Sequence, residues 1–229
     1  MALPVFDPRL VPVHSVDAHL PLVAPAELQA QALIRRFARA PVWQAELPGD
    51  HSAAPARVMR EAAVLVPITI AADPMVLLTR RTEHLNSHAG QIAFPGGRVD
   101  AQDLDAADAA QREAWEEVGL ERRHISVLGS LPVYATGSGY SVTPVVALVQ
   151  EGFSLSPNSE EVAEVFAIPL SHFTNPANHR WHTMEWEQRT RRWLSMPYWQ
   201  QRPGAEPAER FVWGVTAGIL RNLYRFLLA

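Results

Sequence analysis

Three glutamates crowd residues 112–120, which read REAWEEVGL. On a helix, Glu113, Glu116 and Glu117 fall at positions i, i+3 and i+4 and therefore share one face. Like charges at this spacing destabilise a helix by about 0.2–0.5 kcal/mol per pair. A solvated helix face usually interleaves the two signs of charge, but this face has only Arg112 beside its acids. The stretch is therefore either a costly solvated face or a site that holds a cation.

Clustered carboxylate oxygens are the ligands that hard divalent cations prefer. Mg²⁺ typically takes one or two of them together with substrate phosphates. A cation in such a site neutralises phosphate oxygens and lowers the pKa of water. The glutamates also follow a glycine-rich segment, IAFPGGRVD, in which the backbone can approach a ligand closely. The residues alone leave the metal site and the solvated face as open alternatives.

The composition excludes several other chemistries. The chain has no cysteine, which removes disulfides, thiolate metal sites and cysteine nucleophiles. All 20 basic residues are arginine, so the chain has neither a P-loop lysine nor a Schiff-base lysine. The formal net charge of -4 provides no basic field for nucleic acid or an anionic membrane. Any bound anion must be held by arginine, histidine, backbone N–H groups or metal.

The length and apolar content predict a folded protein. With 229 residues, of which 48% are apolar and 19% charged, the chain can bury a sizeable core. The first residues lack the basic start and long apolar run of a signal peptide. The longest apolar stretch, AAVLVPITIAA, is too short to span a bilayer. These features predict a cytoplasmic protein with no membrane partner.

Helix and strand signals predict a mixed α/β fold with an N-terminal helical extension at residues 1–57 and a main domain at residues 58–229. In the extension, PAELQAQALIRRFARA has apolar residues at helical spacing. In the main domain, a helix is predicted from Asp105, which can cap it, to Gly119 at its C-cap. EAAVLVPITI and MVLLTRR are predicted hairpin strands, and ISVLGSLPVYA, YSVTPVVALV and EVFAIPL are further strands.

Three further expectations complete this outline. The Pro-Gly-Gly of residues 95–97 predicts a loop. HRWHTMEWEQ and RRWLSMPYW predict a final hairpin, and FVWGVTAGILRNLYRFLLA predicts a closing helix. Strands outnumber helices in this prediction.

The order of residues 97–120 resembles the Nudix box. That signature has a glycine, five residues, a glutamate, seven residues and then Arg-Glu-aliphatic-any-Glu-Glu-any-Gly-aliphatic. This chain has Gly97, five residues and Asp103, followed after eight residues by the complete final motif from Arg112, with Ala114 at its aliphatic position. It departs from the signature in the type of the first acid and in one extra residue of spacing.

A second, narrower resemblance points to one branch of the Nudix family. Residues 77–97, LLTRRTEHLNSHAGQIAFPGG, are similar to the segment that precedes the box in the coenzyme A pyrophosphatase branch. That branch is also noted for aspartate at the first acidic position with the longer spacing. The segments GYSVTPVVALV and FVWGVTAGILRNL resemble it as well, so the likeness covers most of the chain after about residue 60.

The resemblance implies a Nudix α/β/α sandwich with a mixed sheet. It implies that Glu113, Glu116 and Glu117, with the carbonyl of Gly97, hold Mg²⁺ or Mn²⁺ against a diphosphate. Arg112 would orient a glutamate of the cluster through a charge-assisted hydrogen bond. The implied catalytic set is Glu113, Glu117 and Arg112.

The group that takes the proton from water varies within the family. Glu113 or Glu117 is one option, and Glu160, Glu161 or Glu164 of the run SEEVAE is another. A solvated turn before a strand is the alternative interpretation of that run.

The predicted substrate-binding residues are Arg80, Arg81, His88 and Gly96. Either arginine could bind a phosphate in bidentate fashion, but strand alternation lets only one of the two face the site. His88 is predicted to pack within its loop or to contact a phosphate.

The expected reaction is hydrolysis of the diphosphate bond of coenzyme A or an acyl derivative. Its products would be phosphopantetheine, or its acyl form, and adenosine 3′,5′-bisphosphate. One alternative is the same chemistry on ADP-ribose or NADH, and another is a Nudix-fold module that senses a nucleotide without cleaving it. The expected partner is a small molecule of the coenzyme A type and not nucleic acid, and a homodimer is left open.

Overall fold

The structure is a computed structural model that describes residues 6–50, 59–84, 89–186, 189–202 and 204–229. The helices in these residues are α1 (Ala30–Ala38), α2 (Ala106–Val118), α3 (Leu170–Phe173) and α4 (Gly214–Leu228). The strands are β1 (Val13–Val16), β2 (Arg60–Thr69), β3 (Met75–Arg81), β4 (Ile92–Ala93), β5 (Gly96–Arg98), β6 (Ile125–Ser130), β7 (Tyr134–Ala135), β8 (Tyr140–Val149), β9 (Val162–Pro169), β10 (Arg180–Trp186), β11 (Arg189–Arg202) and β12 (Ala205–Trp213). Short 3-10 helices cover Pro8–Leu10, Pro25–Leu28, Arg122–His124 and Pro176–Asn178.

The larger sheet is built around β2 and β8. These two strands pair in parallel over their full length, from Arg60 opposite Tyr140 to Thr69 opposite Val149. Strand β3 pairs with β9 in antiparallel fashion along its whole length, and β5 and β6 pair in antiparallel fashion with β2 and β8. The predicted mixed sheet is therefore confirmed.

Strand alternation divides the apolar residues of this sheet between two faces. Leu65 and Leu77 belong to the core beneath α2, whereas Val66 and Leu78, the next residue along each strand, belong to the core beneath α1 and α4. Helix α2 contributes a stripe of small residues to its core, which lets it pack close to the sheet: Ala109, Ala110, Ala114 and Val118. The α/β/α arrangement is therefore confirmed.

A second sheet has the strand order β1-β10-β11-β12. The predicted hairpin is its β10–β11 pair. The prediction was wrong about the residues before Gly214, because the closing helix begins only at that glycine, whose φ is 62°. Phe211 and Val212 instead lie in β12, opposite Pro197 and Met196 of β11. A short apolar run is compatible with a helix or a strand, and here pairing with β11 decides in favour of the strand.

The Pro-Gly-Gly segment is also more regular than predicted. Gly96 and Gly97 begin β5, where they pair with Val64 and Ala63 of β2. A Cβ atom on Gly96 would lie 2.5 Å from the carbonyl oxygen of Ala63. The glycine is therefore needed for close approach to a strand, and the prediction of a loop through all three residues was wrong.

The N-terminal segment is tied to α4 by buried charges. The Arg221 guanidinium, 1% exposed, donates to both carboxylate oxygens of Glu46 at 2.8 and 2.9 Å and pairs with Asp17 at 2.9 Å. It also donates to Nδ1 of His179 at 2.8 Å, and burial lowers the pKa of His179 to about 4, so that ring is neutral. Strand β1 adds backbone pairing to β10. The domain boundary near residue 57 stays a prediction, because residues 51–58 lie outside the described part of the chain.

Among the helices that the structure describes, none combines the length and apolar character needed to cross a bilayer.

Replacing Glu46 with alanine is expected to lower the free energy of unfolding by about 2–3 kcal/mol. The reason is that Arg221 stays buried with part of its charge uncompensated. Urea unfolding measures the change. Glu121→Ala is the control, because Glu121 pairs only at the surface with Arg123 and its loss should change stability by less than about 0.5 kcal/mol. Equal stabilities of the two variants would contradict the role given to this network.

Candidate active site

Helix α2 presents the glutamate cluster, and its two ends are set by local sequence. The Asp105 carboxylate accepts a hydrogen bond from the Asp108 N–H at 2.8 Å, which caps the first turn. Gly119 ends the helix in the left-handed conformation with a φ of 69°. The predicted helix from Asp105 to Gly119 is confirmed.

The three glutamates differ sharply in exposure. The side chain of Glu116 is 53% exposed, that of Glu113 is 17% exposed and that of Glu117 is 5% exposed. A solvated face does not bury an acid to this degree, since an ionised carboxylate loses its hydration. The exposures therefore favour a site over a solvated face.

Arg112 holds the cluster together. Its Nη1 donates to Glu113 and to Glu116, each at 3.0 Å. Its Nε and Nη2 donate to the two carboxylate oxygens of Asp103, each at 2.9 Å. Nη2 also donates to the carbonyl of Arg98 at 3.0 Å. The guanidinium thus offsets the repulsion within the cluster and fixes the orientation of two of its glutamates.

Asp103, the residue that departs from the Nudix signature, is a partner of this arginine. Its carboxylate also accepts a hydrogen bond from the Asp100 N–H at 2.7 Å. The bonds from Arg112 and from that N–H lower the pKa of Asp103 to about 2. Asp103 therefore closes the loop before α2, and the cap of the helix itself is Asp105.

The Glu117 side chain lies between α2, which carries it, and β5. Its Oε2 accepts a hydrogen bond from the Gly96 N–H at 3.1 Å, and its Oε1 lies 3.5 Å from Nη1 of Arg81. Burial, together with the charges of Glu113 and Glu161, raises the pKa of Glu117 to about 7, against the lowering effect of Gly96 and Arg81. The ionised form of this carboxylate is therefore disfavoured in the protein alone, and an adjacent cation would oppose that effect.

Glu113 lies against Gly97. A Cβ atom on Gly97 would come within 2.5 Å of the Glu113 carboxylate, so only glycine leaves this acid in place. Burial raises the pKa of Glu113, and the charges of Glu116 and Glu161 act in the same direction, while Arg112 opposes them. Two adjacent glycines thus bring β5 against two different glutamates.

The run SEEVAE is divided between the two faces of the sheet. The backbone N–H of Asn158 donates to the carbonyl of Glu117 at 2.9 Å, and the Thr82 N–H donates to the carbonyl of Glu161 at 3.0 Å. These bonds hold Glu161 near the cluster, in agreement with its effect on the pKa values of Glu113 and Glu117.

Glu164 is engaged elsewhere. It receives both ends of the Arg210 guanidinium at 2.8 and 2.6 Å and lies 3.6 Å from Arg80. The position of Glu164 therefore contradicts its predicted role as a general base at the glutamate site. Buried Arg210 carried no signal in the sequence, because its partner lies 46 residues away.

The predicted substrate-binding residues also do not share one site. Arg81 lies beside Glu117, and Arg80, its neighbour on β3, lies on the opposite face beside Glu164. The Gly96 N–H is taken by Glu117, which gives this glycine a structural role in place of a substrate contact. His88 lies outside the described residues.

The acids fit a divalent cation that is shared with a substrate. Within the described part of the chain, no three carboxylate or imidazole groups converge closely enough to hold an ion alone. Mg²⁺ keeps several waters and uses one or two carboxylates plus substrate phosphates, so this arrangement suits it. Burial raises the pKa values of Glu113 and Glu117 and so disfavours their ionised forms, which a nearby cation would stabilise.

Comparison with known proteins decides the family. The model of the NUDIX domain matches residues 59–211, two thirds of the chain. The chain belongs to the Nudix family. It is 41% identical over 181 residues to a protein of Pectobacterium atrosepticum described as an uncharacterized Nudix hydrolase NudL, which covers 79% of this chain and 88% of that protein.

A protein of the same description from Escherichia coli K12 is 42% identical over 167 residues, which cover 72% of this chain and 81% of that protein. Among solved structures, a C. elegans Ap4A hydrolase binary complex aligns with a TM-score of 0.43 and 21% identity, over 51% of this chain and 85% of that chain. The chain is therefore a Nudix hydrolase that acts on the phosphoanhydride bond of a nucleoside diphosphate derivative. Nudix hydrolases generally use divalent metal ions.

The two glycines that begin β5, Gly96 and Gly97, are expected to respond differently to alanine. In Gly97→Ala the new Cβ displaces only the flexible end of Glu113, so the fold should persist while hydrolysis falls at least about tenfold. In Gly96→Ala the Cβ meets the backbone of Ala63 and Val64, so the free energy of unfolding should fall by about 2 kcal/mol or more. Urea unfolding and a hydrolysis assay on both variants measure this. Similar losses of stability in the two would contradict the geometry.

Glu117→Gln is expected to stabilise the metal-free protein in a pH-dependent way. The folded-state pKa of about 7 exceeds the ordinary value of 4.5, so wild-type stability falls as the pH rises between these values. Glutamine retains an acceptor for the Gly96 N–H and does not ionise. Its advantage in free energy of unfolding should therefore be about 2–3 kcal/mol larger at pH 8 than at pH 5.

Urea unfolding in a chelator at both pH values measures this difference. Glu121→Gln, whose side chain is 38% exposed, is measured at both pH values as the control. An equal effect of Glu117→Gln at both pH values would show that Glu117 ionises normally.

Proposed function

We propose that the chain hydrolyses the diphosphate bond of coenzyme A or an acyl derivative. The products are phosphopantetheine, or its acyl form, and adenosine 3′,5′-bisphosphate. The observation that carries this proposal is the position of residues 77–97, the segment that resembles the coenzyme A branch. This segment begins in β3 and ends in β5, with Arg81 beside Glu117 and Gly97 beside Glu113. Arg81, from the segment that resembles this branch, therefore adjoins an acid of the Nudix box, whereas Gly97 belongs to the general signature.

Mg²⁺ or Mn²⁺ is the proposed cofactor. Glu113, Glu116 and Glu117 would hold it with the carbonyl of Gly97, and it would neutralise the phosphate oxygens of the substrate. Arg112 acts as a positioning residue, because it contacts Glu113 and Glu116 and is otherwise engaged by Asp103. Arg81 is the proposed contact for a substrate phosphate, since its guanidinium lies on the glutamate face of β3.

Glu161 is the proposed general base. It is the loop glutamate whose charge acts on Glu113 and Glu117, and its backbone is fixed by Thr82. In the reaction a water oxygen bonds to phosphorus, the phosphoanhydride bond breaks, and the water proton passes to the carboxylate of Glu161. Neither a homodimer nor a cytoplasmic location is decided by these contacts, and both stay predictions.

The test is the product pattern of the purified chain with coenzyme A and Mg²⁺ or Mn²⁺, resolved by chromatography beside ADP-ribose and NADH. Adenosine 3′,5′-bisphosphate is expected only in the presence of metal, and Glu117→Gln should abolish it. Faster cleavage of ADP-ribose or NADH would reject the coenzyme A assignment. Binding without cleavage of any of these compounds would reject the hydrolase and favour a nucleotide sensor.

Glu161→Gln is expected to lower kcat by about 10²–10⁴ with little change in KM, because it removes the proton acceptor and leaves the charge-holding acids in place. Glu160→Gln is the matched control at the neighbouring exposed position. If Glu160→Gln and Glu161→Gln have equal kcat values, the base lies within the Nudix box.

A further inference from the structure

A large cavity opens on the face of β3 that lies opposite the glutamates. Its volume is about 730 Å³, which falls within the range of small-molecule sites. Arg80 lines it, whereas its neighbour Arg81 lies beside Glu117 on the other face. The cavity also receives Phe6 and Arg9 from the N-terminal segment, and Trp213 from the end of β12. These three residues lie outside residues 59–211, so the cavity is built partly by what this chain adds to the Nudix domain.

The arginines of this cavity are not equally engaged. Arg210 is fully occupied by Glu164 and by Gln200, to which its Nε donates at 2.8 Å. Arg80 lies 3.6 Å from Glu164, and its Nε is buried without an acceptor in the described part of the chain. Among the same residues, Arg191 has no carboxylate partner. An unsatisfied buried donor is costly, and a ligand acceptor would remove that cost.

Three of the four acids that line the cavity are engaged by protein groups, and the fourth, Glu83, lies against Gly90. The Asp7 carboxylate accepts from the Arg9 N–H at 2.9 Å, and Glu209 lies 3.9 Å from Nε of Arg9. Glu164 is held by Arg210 and approached by Arg80. The guanidinium donors of Arg80 and Arg191 are therefore the groups best placed to receive an anion.

Aromatic rings stand beside these arginines. The Phe6 ring lies 5.4 Å from that of Trp193 and 6.3 Å from that of Trp213, measured between centroids. The Arg191 guanidinium lies 5.9 Å from the Phe6 centroid. These tilted and edge-on rings beside the Arg191 guanidinium suit a ligand that combines an aromatic base with a phosphate.

We propose that this cavity binds the phosphorylated adenosine half of the substrate, with its 3′-phosphate at Arg80 and Arg191 and its adenine beside Phe6 and Trp213. This assignment rests on the proposed coenzyme A activity. The pantetheine half has neither a charge nor an aromatic ring, so it gains little from these groups. The cavity and the glutamate site share one end of β3, because Arg80 lines the cavity and Arg81, the next residue, lies beside Glu117.

A smaller cavity of about 360 Å³ does not compete for this role. It is lined by Asp17, Glu46 and Arg221, whose charges are paired with one another between the N-terminal segment and α4. Of its other lining groups, the Asp50 carboxylate accepts from the Tyr134 hydroxyl at 3.0 Å, and the Arg192 guanidinium lies over the Trp181 ring.

Calorimetric titration of the full-length protein with adenosine 3′,5′-bisphosphate, adenosine 5′-monophosphate and phosphopantetheine tests the assignment. The wild type should bind the bisphosphate more tightly than the monophosphate. Arg191→Ala should weaken the bisphosphate by about tenfold, the equivalent of one lost charge-assisted hydrogen bond, and leave phosphopantetheine unchanged. The bisphosphate affinity of Arg191→Lys should lie between those of the wild type and Arg191→Ala, because lysine keeps the charge and loses the planar guanidinium.

Arg123→Ala is the matched control, since Arg123 is an exposed arginine paired with Glu121 and should leave all three affinities unchanged. Unchanged bisphosphate affinity in both Arg191→Ala and Arg80→Ala would overturn the proposal. The proposal would also be overturned if these two variants lost affinity for phosphopantetheine and not for the bisphosphate. It would likewise be overturned if the wild type did not bind the bisphosphate. These ligands have no diphosphate to cleave, so binding is scored independently of catalysis. A wild type that binds the bisphosphate but does not cleave coenzyme A would reject the proposed activity alone.

Discussion

Repulsion among three glutamates is the constraint on which the rest of the Nudix site depends. Arg112 offsets it by contacting Glu113 and Glu116 while both of its remaining nitrogens bind Asp103. Burial nevertheless keeps the pKa values of Glu113 and Glu117 raised, so their ionised forms stay disfavoured in the protein alone. A helix that is costly in isolation is therefore kept ready for a cation and the phosphates it would carry.

Strand β3 separates two polar regions that have different proposed roles. On one face Arg81 meets Glu117, and on the other face Arg80 meets Glu164 and the cavity. The alternation of side chains along a strand makes this division unavoidable for consecutive residues. A single segment that precedes the Nudix box thus contributes to the reacting centre and to the pocket we assign to the adenosine.

The residues outside the Nudix match have a definite place in this arrangement. Arg221 of α4 binds Glu46 and Asp17, and this buried network fixes the N-terminal segment against α4. The same segment supplies Phe6 and Arg9 to the cavity. Residues that look like an extension in the sequence therefore contribute to stability through α4 and to the proposed substrate specificity through the cavity.

The sequence by itself determined the box helix, since Asp105 and Gly119 act through local hydrogen bonds and a left-handed φ. It also determined the mixed α/β class and the spacing of the glutamates. Only the tertiary structure decided that Gly96 lies in a strand, that Phe211 to Trp213 join β12, and that Arg210 removes Glu164 from the site. Each of these outcomes depends on a partner distant in the chain. Local patterns carry no record of such partners, whereas caps, turns and helical spacing act within a few residues.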